Sequence, residues 1–91
     1  MRKAKKNMEI EHIEQVIHRI IEGLTGQSLL YDNDKALSDF GVDSLQAVEL
    51  ILRIESAFNF EFSSEDLSYR VLKNVKSIAN YVYERLNRRP S

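Results

Sequence analysis

The chain has 91 residues, 43% of them apolar and 30% charged, and a formal net charge of −1, which suits one globular domain with a modest core. It has no cysteine, which excludes a disulfide framework, a thiolate zinc site and a cysteine nucleophile. No apolar run approaches the roughly 18 to 20 residues of a membrane span. The charged, periodic MEIEHIEQVIHRI that follows the basic MRKAKKN is unlike a secretory signal, so a cytosolic, monomeric protein without a membrane partner is expected.

The small net charge hides an uneven distribution. Arg2, Lys3, Lys5 and Lys6 sit at one end and Arg85, Arg88 and Arg89 at the other. All 14 acids lie between Glu9 and Glu84 with only six bases, a net −8 for the body. An acidic body repels nucleic acid and attracts basic protein surfaces. Residues 1–7 and 88–91 are expected to be a flexible basic arm and a flexible tail around a domain spanning 8–87.

In chain order, Ile10, Ile13, Ile17, Ile20, Ile21 and Leu24 recur at three- and four-residue steps and predict a first helix, which Gly23 and Gly26 end. TGQSLLYDNDKALSDFGVDS then predicts a long connection pinned by Leu29, Leu30, Leu37 and Phe40, with room for a short helical turn. Connections this long in small domains are usually functional. Asp43 and Gln46 have capping-box spacing and start a second helix running to about Phe58. At about 100° per residue, Ala47, Leu50, Ile51, Ile54 and Phe58 share its core face, and Gln46, Glu49 and Arg53 lie opposite. Leu45, Val48 and Leu52 form a second apolar strip, either covered by a neighbouring element or left open for a partner.

Ser63 and Asp66 again suit a capping box and predict a short third helix near Leu67. FNFEF alternates like a strand, but nothing is evident to pair with it. Asn74 caps a last helix whose stripe is Val75, Ile78, Ala79, Val82 and Leu86. The expected fold is all-α: a four-helix bundle of three main helices and one short one, with a long loop between helices 1 and 2.

Catalytic chemistry has no visible home in this pattern. His12 and His18 are six apart, outside metal-ligand spacing, and read as surface or boundary residues. There is no P-loop and no GxGxxG, and no carboxylate is paired with an obvious nucleophile. The basic arm lacks interleaved aromatics, which argues against a nucleic-acid reader.

Ser44 stands apart from this background. Serine is a common N-cap, but Asp43 is at least as good, and it leaves Ser44 as the first helical residue with a hydroxyl not committed to the backbone. Gly41 lets the chain turn sharply before it. A helix N-terminus favours a phosphate, so from the residues alone capping, phosphorylation and other modification all stay open.

FGVDSLQAVELILRIESAF resembles the phosphopantetheine attachment region of acyl carrier proteins. The family pattern is a hydrophobic residue, Gly, any residue, Asp, Ser, Leu, then Val-Glu-Leu; Phe40, Gly41, Asp43, Ser44, Leu45, Val48, Glu49 and Leu50 match it. The isoleucine-rich first helix, long loop, EFSSEDLS and NVKSIANYV follow in the family's order, so the resemblance covers roughly Glu9 to Leu86. It implies a carrier, not an enzyme, with 4′-phosphopantetheine from coenzyme A attached to Ser44 by a separate phosphopantetheinyl transferase. Asp43 and Leu45 would flank the attachment. Acyl or aminoacyl groups would ride as thioesters, placed by a loading ligase or transferase and passed to synthase or tailoring enzymes. Partners would dock on the second helix, through Leu45, Val48 and Leu52, with Asp43 and Glu49 meeting basic groups.

Two departures bear on pathway. Gln46 stands where an acid is frequent, and Arg53 interrupts a helix that is densely acidic in fatty-acid carriers. The basic ends are also unlike that type. The chain looks more like a free-standing carrier of polyketide or mixed peptide–polyketide assembly, with fatty-acid, D-alanyl and peptidyl carriage as alternatives. From another class, the chain could be a helical adaptor without cofactor, but an adaptor has no use for the Ser44 hydroxyl. A domain of a larger synthase is the third reading; the apparently complete first and last helices favour a stand-alone chain.

Overall fold

Ile13, Ile17 and Ile21 repeat every fourth residue, which stacks them on one helix face, and all three are fully buried in the computed structural model. The structure describes residues 9–26, 32–68 and 70–87. The expected basic arm, tail and part of the first connection, including Leu29 and Leu30, lie outside these. Helix α1 spans Ile10–Thr25. Gly23 lies within it, and Gly26, at φ 73°, ends it. Gly23 was expected to share that role, but one left-handed residue is enough to stop a helix.

Helix α2 spans Ser44–Phe58 and ends at Asn59, also left-handed at φ 57°; helix α3 spans Val75–Asn87. Helix α1 packs against both. The core joins the α1 isoleucines to Leu50, Ile54 and Phe58 of α2 and to Val75, Ile78, Ala79 and Val82 of α3. The all-α expectation holds, with no strand among the described residues. FNFEF begins on the last residue of α2 and continues as irregular chain, and among the described residues the one bridge joins Ala36 to Asn74. No helix is long and apolar enough to cross a membrane, and no cluster could hold a metal ion, among the described residues.

The short helical element is not where Ser63 and Asp66 suggested. Leu37–Phe40, in the first connection, forms a 3₁₀ turn. The segment after α2 forms only turns, with the Asp66 N–H bonded to the Ser63 carbonyl at 2.9 Å. The capping partners of the expected helix are engaged with α3 instead. The Tyr81 hydroxyl donates to Asp66 Oδ2 at 2.8 Å and accepts from the Ser63 N–H at 3.3 Å and from Arg85 Nη1 at 2.8 Å. A few residues gain little from a costly helix nucleus, and the cross-chain bonds satisfy the same groups. Tyr81 also stacks on Phe62, with ring centroids 5.1 Å apart, while the Arg85 guanidinium lies over Phe60.

The first connection is tied down by backbone and amide groups. Leu37 N–H donates to Lys73 O, Lys76 N–H to Asn33 O, and Asn74 Nδ2 to Asp34 O. Asn74 also caps α3 as its sequence position suggested: its Oδ1 accepts from Ser77 N–H at 2.8 Å.

Replacing Tyr81 with Phe keeps the stacked ring but removes a hydroxyl with three partners. We expect a loss of about 1–2 kcal/mol, measured by urea unfolding with an unchanged m-value. Unchanged stability would show that the phenol does not hold the segment.

Candidate functional site

The site begins where the first connection ends. Phe40 is buried and meets the His18 ring edge-on at 5.9 Å, and Lys35 Nζ lies over the Phe40 ring at 5.3 Å from its centre. Gly41 follows at φ 88°, a conformation that costs any side chain a clash with its own backbone. Its N–H caps the 3₁₀ turn, and the chain then buries Val42. Asp43 is left extended and exposed at the head of α2.

Asp43 and Gln46 form the expected capping box. Asp43 Oδ1 accepts from the Gln46 N–H at 2.8 Å, and Gln46 Oε1 accepts from the Asp43 N–H at 3.4 Å. Gln46 was expected on the solvent side of α2, but it is half-buried and does more than cap. Its Nε2 donates to the Leu24 carbonyl at 3.0 Å, one of the carbonyls that the end of α1 leaves without a helical partner. The Gly26 N–H satisfies the carbonyl of Glu22, and Thr25 Oγ1 donates to that of Ile21 one step earlier. One amide therefore closes one helix and opens another.

Ser44 is the first residue of α2 and is exposed; its hydroxyl has no hydrogen-bond partner among the described residues. Beside it lies an open cavity of about 230 Å³, lined among others by Val42, Asp43, Ala47, Leu72 and Lys73. A phosphodiester on Ser44 would meet the unpaired N–H groups of a helix start, and the cavity gives space for the first part of a flexible arm. The residues present fit such a group.

The two readings of the second apolar strip are now separated. Leu45 is 80% exposed, and Val48 and Leu52 are each 55% exposed. Among the described residues, no neighbouring element covers them. Ala47 and Ile51 complete the core face with Leu50, Ile54 and Phe58, as their spacing indicated.

His12 is exposed, as expected of a surface residue. His18 is not a boundary residue. It is 1% exposed, and its Nε2 lies 2.7 Å from Asn33 Oδ1. It follows Ile17 and precedes Ile21 by three, so it sits at the edge of the buried face, and Asn33 supplies the polar partner that burial requires. This pair fixes the connection to α1 and lies away from Ser44 in sequence and role.

A family model described as "Phosphopantetheine attachment site" matches residues 15–82. The chain belongs to the acyl carrier protein family. An acyl carrier protein of Chloroherpeton thalassium is 30% identical over 80 residues, covering 86% of this chain and 98% of the relative. One of Coprothermobacter proteolyticus is 32% identical over 82 residues, 87% and 96% of the two chains. One of Phytoplasma mali is 43% identical over 49 residues, 54% and 56% of the two chains. No solved structure matches.

The protein is thus a carrier bearing covalent 4′-phosphopantetheine, acted on by a phosphopantetheinyl transferase and partner synthases rather than a catalyst itself. Its own departure at Gln46 has a physical reason. A carboxylate there could complete the capping box but could not donate to Leu24.

Gln46→Glu separates those roles. The added charge near a helix start gains about 0.3–1 kcal/mol, while the lost donor leaves the Leu24 carbonyl facing a carboxylate at a cost of about 1–3 kcal/mol. The bond's loss should win, lowering the thermal midpoint by several degrees in a domain of this size. A midpoint equal to or above the wild type would show that the α1 contact adds nothing.

Proposed function

We propose that Ser44 is the attachment residue and that acyl or aminoacyl groups are carried on its arm as thioesters. The uncommitted, exposed Ser44 hydroxyl at the start of α2 carries this reading. In the loading step the Ser44 oxygen forms a bond to the phosphorus that bears pantetheine. The bond from that phosphorus to the adenosine bisphosphate leaving group breaks, and the hydroxyl proton passes to a base of the transferase. The chain's part is to present the oxygen without an intrachain hydrogen bond to break. Asp43 serves by capping α2 while leaving Ser44 free, and Leu45 marks the start of the docking strip.

Docking falls to α2, through Leu45, Val48 and Leu52. Full burial of such side chains is worth about 1.5–3 kcal/mol each, and leaving three of them more than half exposed forgoes a large part of it; such strips mark interaction sites. Asp43 and Glu49 lie at the edges of the strip. The partners are a loading ligase or transferase and downstream synthase or tailoring enzymes.

For pathway, polyketide or mixed peptide–polyketide assembly is favoured over fatty-acid, D-alanyl or peptidyl carriage. Gln46 and Arg53 support it, because both reduce the negative charge of α2. The relatives themselves carry only the general name.

Incubation with coenzyme A, Mg²⁺ and a broad-specificity transferase should add one phosphopantetheine group by intact mass. Ser44→Ala should add none. No addition to the wild type, or addition to the alanine variant, overturns the attachment reading. Val48→Asp should keep the fold but slow loading about 10-fold or more, the size of effect expected when a charge is buried in an apolar contact. Presenting the loaded protein in turn to a malonyl transferase and to an aminoacyl-activating ligase separates malonyl-based from aminoacyl-based carriage by the mass acquired.

A further inference from the structure

The buried face of α1 consists of Ile13, Ile17, His18 and Ile21, and of these only the histidine takes up a proton. Its ring rests edge-on against Phe40 at 5.9 Å, and Nε2 lies 2.7 Å from Asn33 Oδ1. An amide oxygen only accepts, so Nε2 carries the hydrogen and donates. Nδ1 is buried as well. Protonation therefore places a whole charge inside the domain, which is costly unless an opposite charge meets it. Asn33 Oδ1 is a neutral acceptor and does not supply that charge.

The opposite charge is next to the ring. An open cavity of about 200 Å³ is lined by Glu11, Glu14, Gln15, His18 and Asn33. The latched pair and two carboxylates thus border one space. Glu14 precedes His18 by one helical turn and Glu11 by two, and a helical side chain leans back over the turn before it. A carboxylate four residues ahead of a cation is also the favourable order for such a pair. Glu22, half-buried one turn after His18, does not line this cavity. On the connection, Lys35 Nζ lies 5.3 Å from the centre of the Phe40 ring, so a cation left against Phe40 has another cation nearby. Asp32 and Asp34 flank Asn33 but are exposed and do not line the cavity, and water weakens their pull. On α3, Lys76 is exposed, and its N–H donates to the Asn33 carbonyl at 3.0 Å.

We propose that His18 is a proton-operated latch on the first connection. Neutral, the ring donates to Asn33 and holds the connection to α1. Protonated, it turns through the cavity to Glu14, with Glu11 beyond, and releases Asn33. The proton comes from solvent and no other covalent bond changes. Asn33 also holds the Lys76 N–H, so its release slackens the tie between the connection and α3. The latch does not rest on the Ser44 reading.

The test follows the isotope-labelled full chain by NMR at about pH 8 and about pH 5, the interval in which histidine changes charge. Ring nitrogen shifts report protonation of His18 separately from that of His12, and Overhauser contacts report whether His18 still touches Phe40. Those contacts should be present at the upper pH and lost at the lower. Protection of the Lys76 amide against hydrogen exchange should fall about 10-fold, the order of the gain when a charged acceptor replaces a neutral one. The Ile78 amide, bonded to the Asn74 carbonyl at 3.1 Å, should keep its protection within about 3-fold, which marks the change as local. His18→Gln keeps a donor for Asn33 and takes no proton, so it should leave Lys76 protected at both pH values. The double variant Glu11→Gln and Glu14→Gln should keep the His18–Phe40 contacts at the lower pH, and it carries the comparison alone if His18→Gln does not fold. A His18 that is protonated yet still against Phe40 overturns the proposal, as does one that stays neutral at the lower pH. So does an equal loss of protection at Ile78 or in His18→Gln, or a release that the double variant leaves intact.

Discussion

The capping of α2 by Asp43 and Gln46 is the constraint on which the rest depends. A helix start needs acceptors for its free N–H groups, and a serine in that position would ordinarily be drawn into supplying one. Here Asp43 takes the Gln46 N–H at 2.8 Å, and Gln46 returns the bond to Asp43. Ser44 is released from the task. The same Gln46 reaches the Leu24 carbonyl, so the start of α2 is fastened to the end of α1. The hydroxyl is exposed because its neighbours, not the serine, hold the backbone in place.

The irregular connection is held by the same kind of economy. Asn33 accepts from the Lys76 N–H through its carbonyl and pairs with His18 through its side chain, which links α1, the connection and α3 at one residue. Asn74 caps α3 and also donates to Asp34. Groups on connections between helices that would otherwise need water are paired with one another, as buried polar groups must be. Phe40 and Val42 then anchor the last turn before Ser44 in the core. The start of α2 is set by packing behind it and capping beside it, with an open cavity in front.

What was legible in the sequence was what local chemistry decides. The four-residue spacing of the α1 isoleucines, the Asp43–Gln46 box, the Asn74 cap and the end of α2 at Phe58 each involve groups within a few residues of one another. What was not legible depends on residues far apart. Gln46 bonds Leu24 across 22 positions, His18 meets Asn33 across 15, and Tyr81 takes Asp66 across 15. Ser63 and Asp66 have the spacing of a cap, yet Tyr81 claims both. His18 read as a boundary residue because nothing in its surroundings along the chain announces Asn33. At the candidate site, the start of α2 at Ser44 and its cap by Asp43 were readable. Whether Val48 and Leu52 are covered depends on where α1 and α3 pass, which periodicity within α2 does not encode.

The two faces of α2 are under different constraints. One face of α2 must bury Leu50, Ile54 and Phe58 deeply enough to hold three helices together, and those residues are at most 7% exposed. On the other, Leu45, Val48 and Leu52 are more than half exposed and contribute little to folding. A helix of 15 residues is marginal alone, so its stability rests on the core face and on the capped, fastened start. Charge on the open face would add little either way, since an exposed pair such as Glu49–Arg53 contributes about 0–1 kcal/mol. Substitutions among exposed charges can therefore change the charge of the open face while leaving the buried face, the cap and the Ser44 hydroxyl as they are.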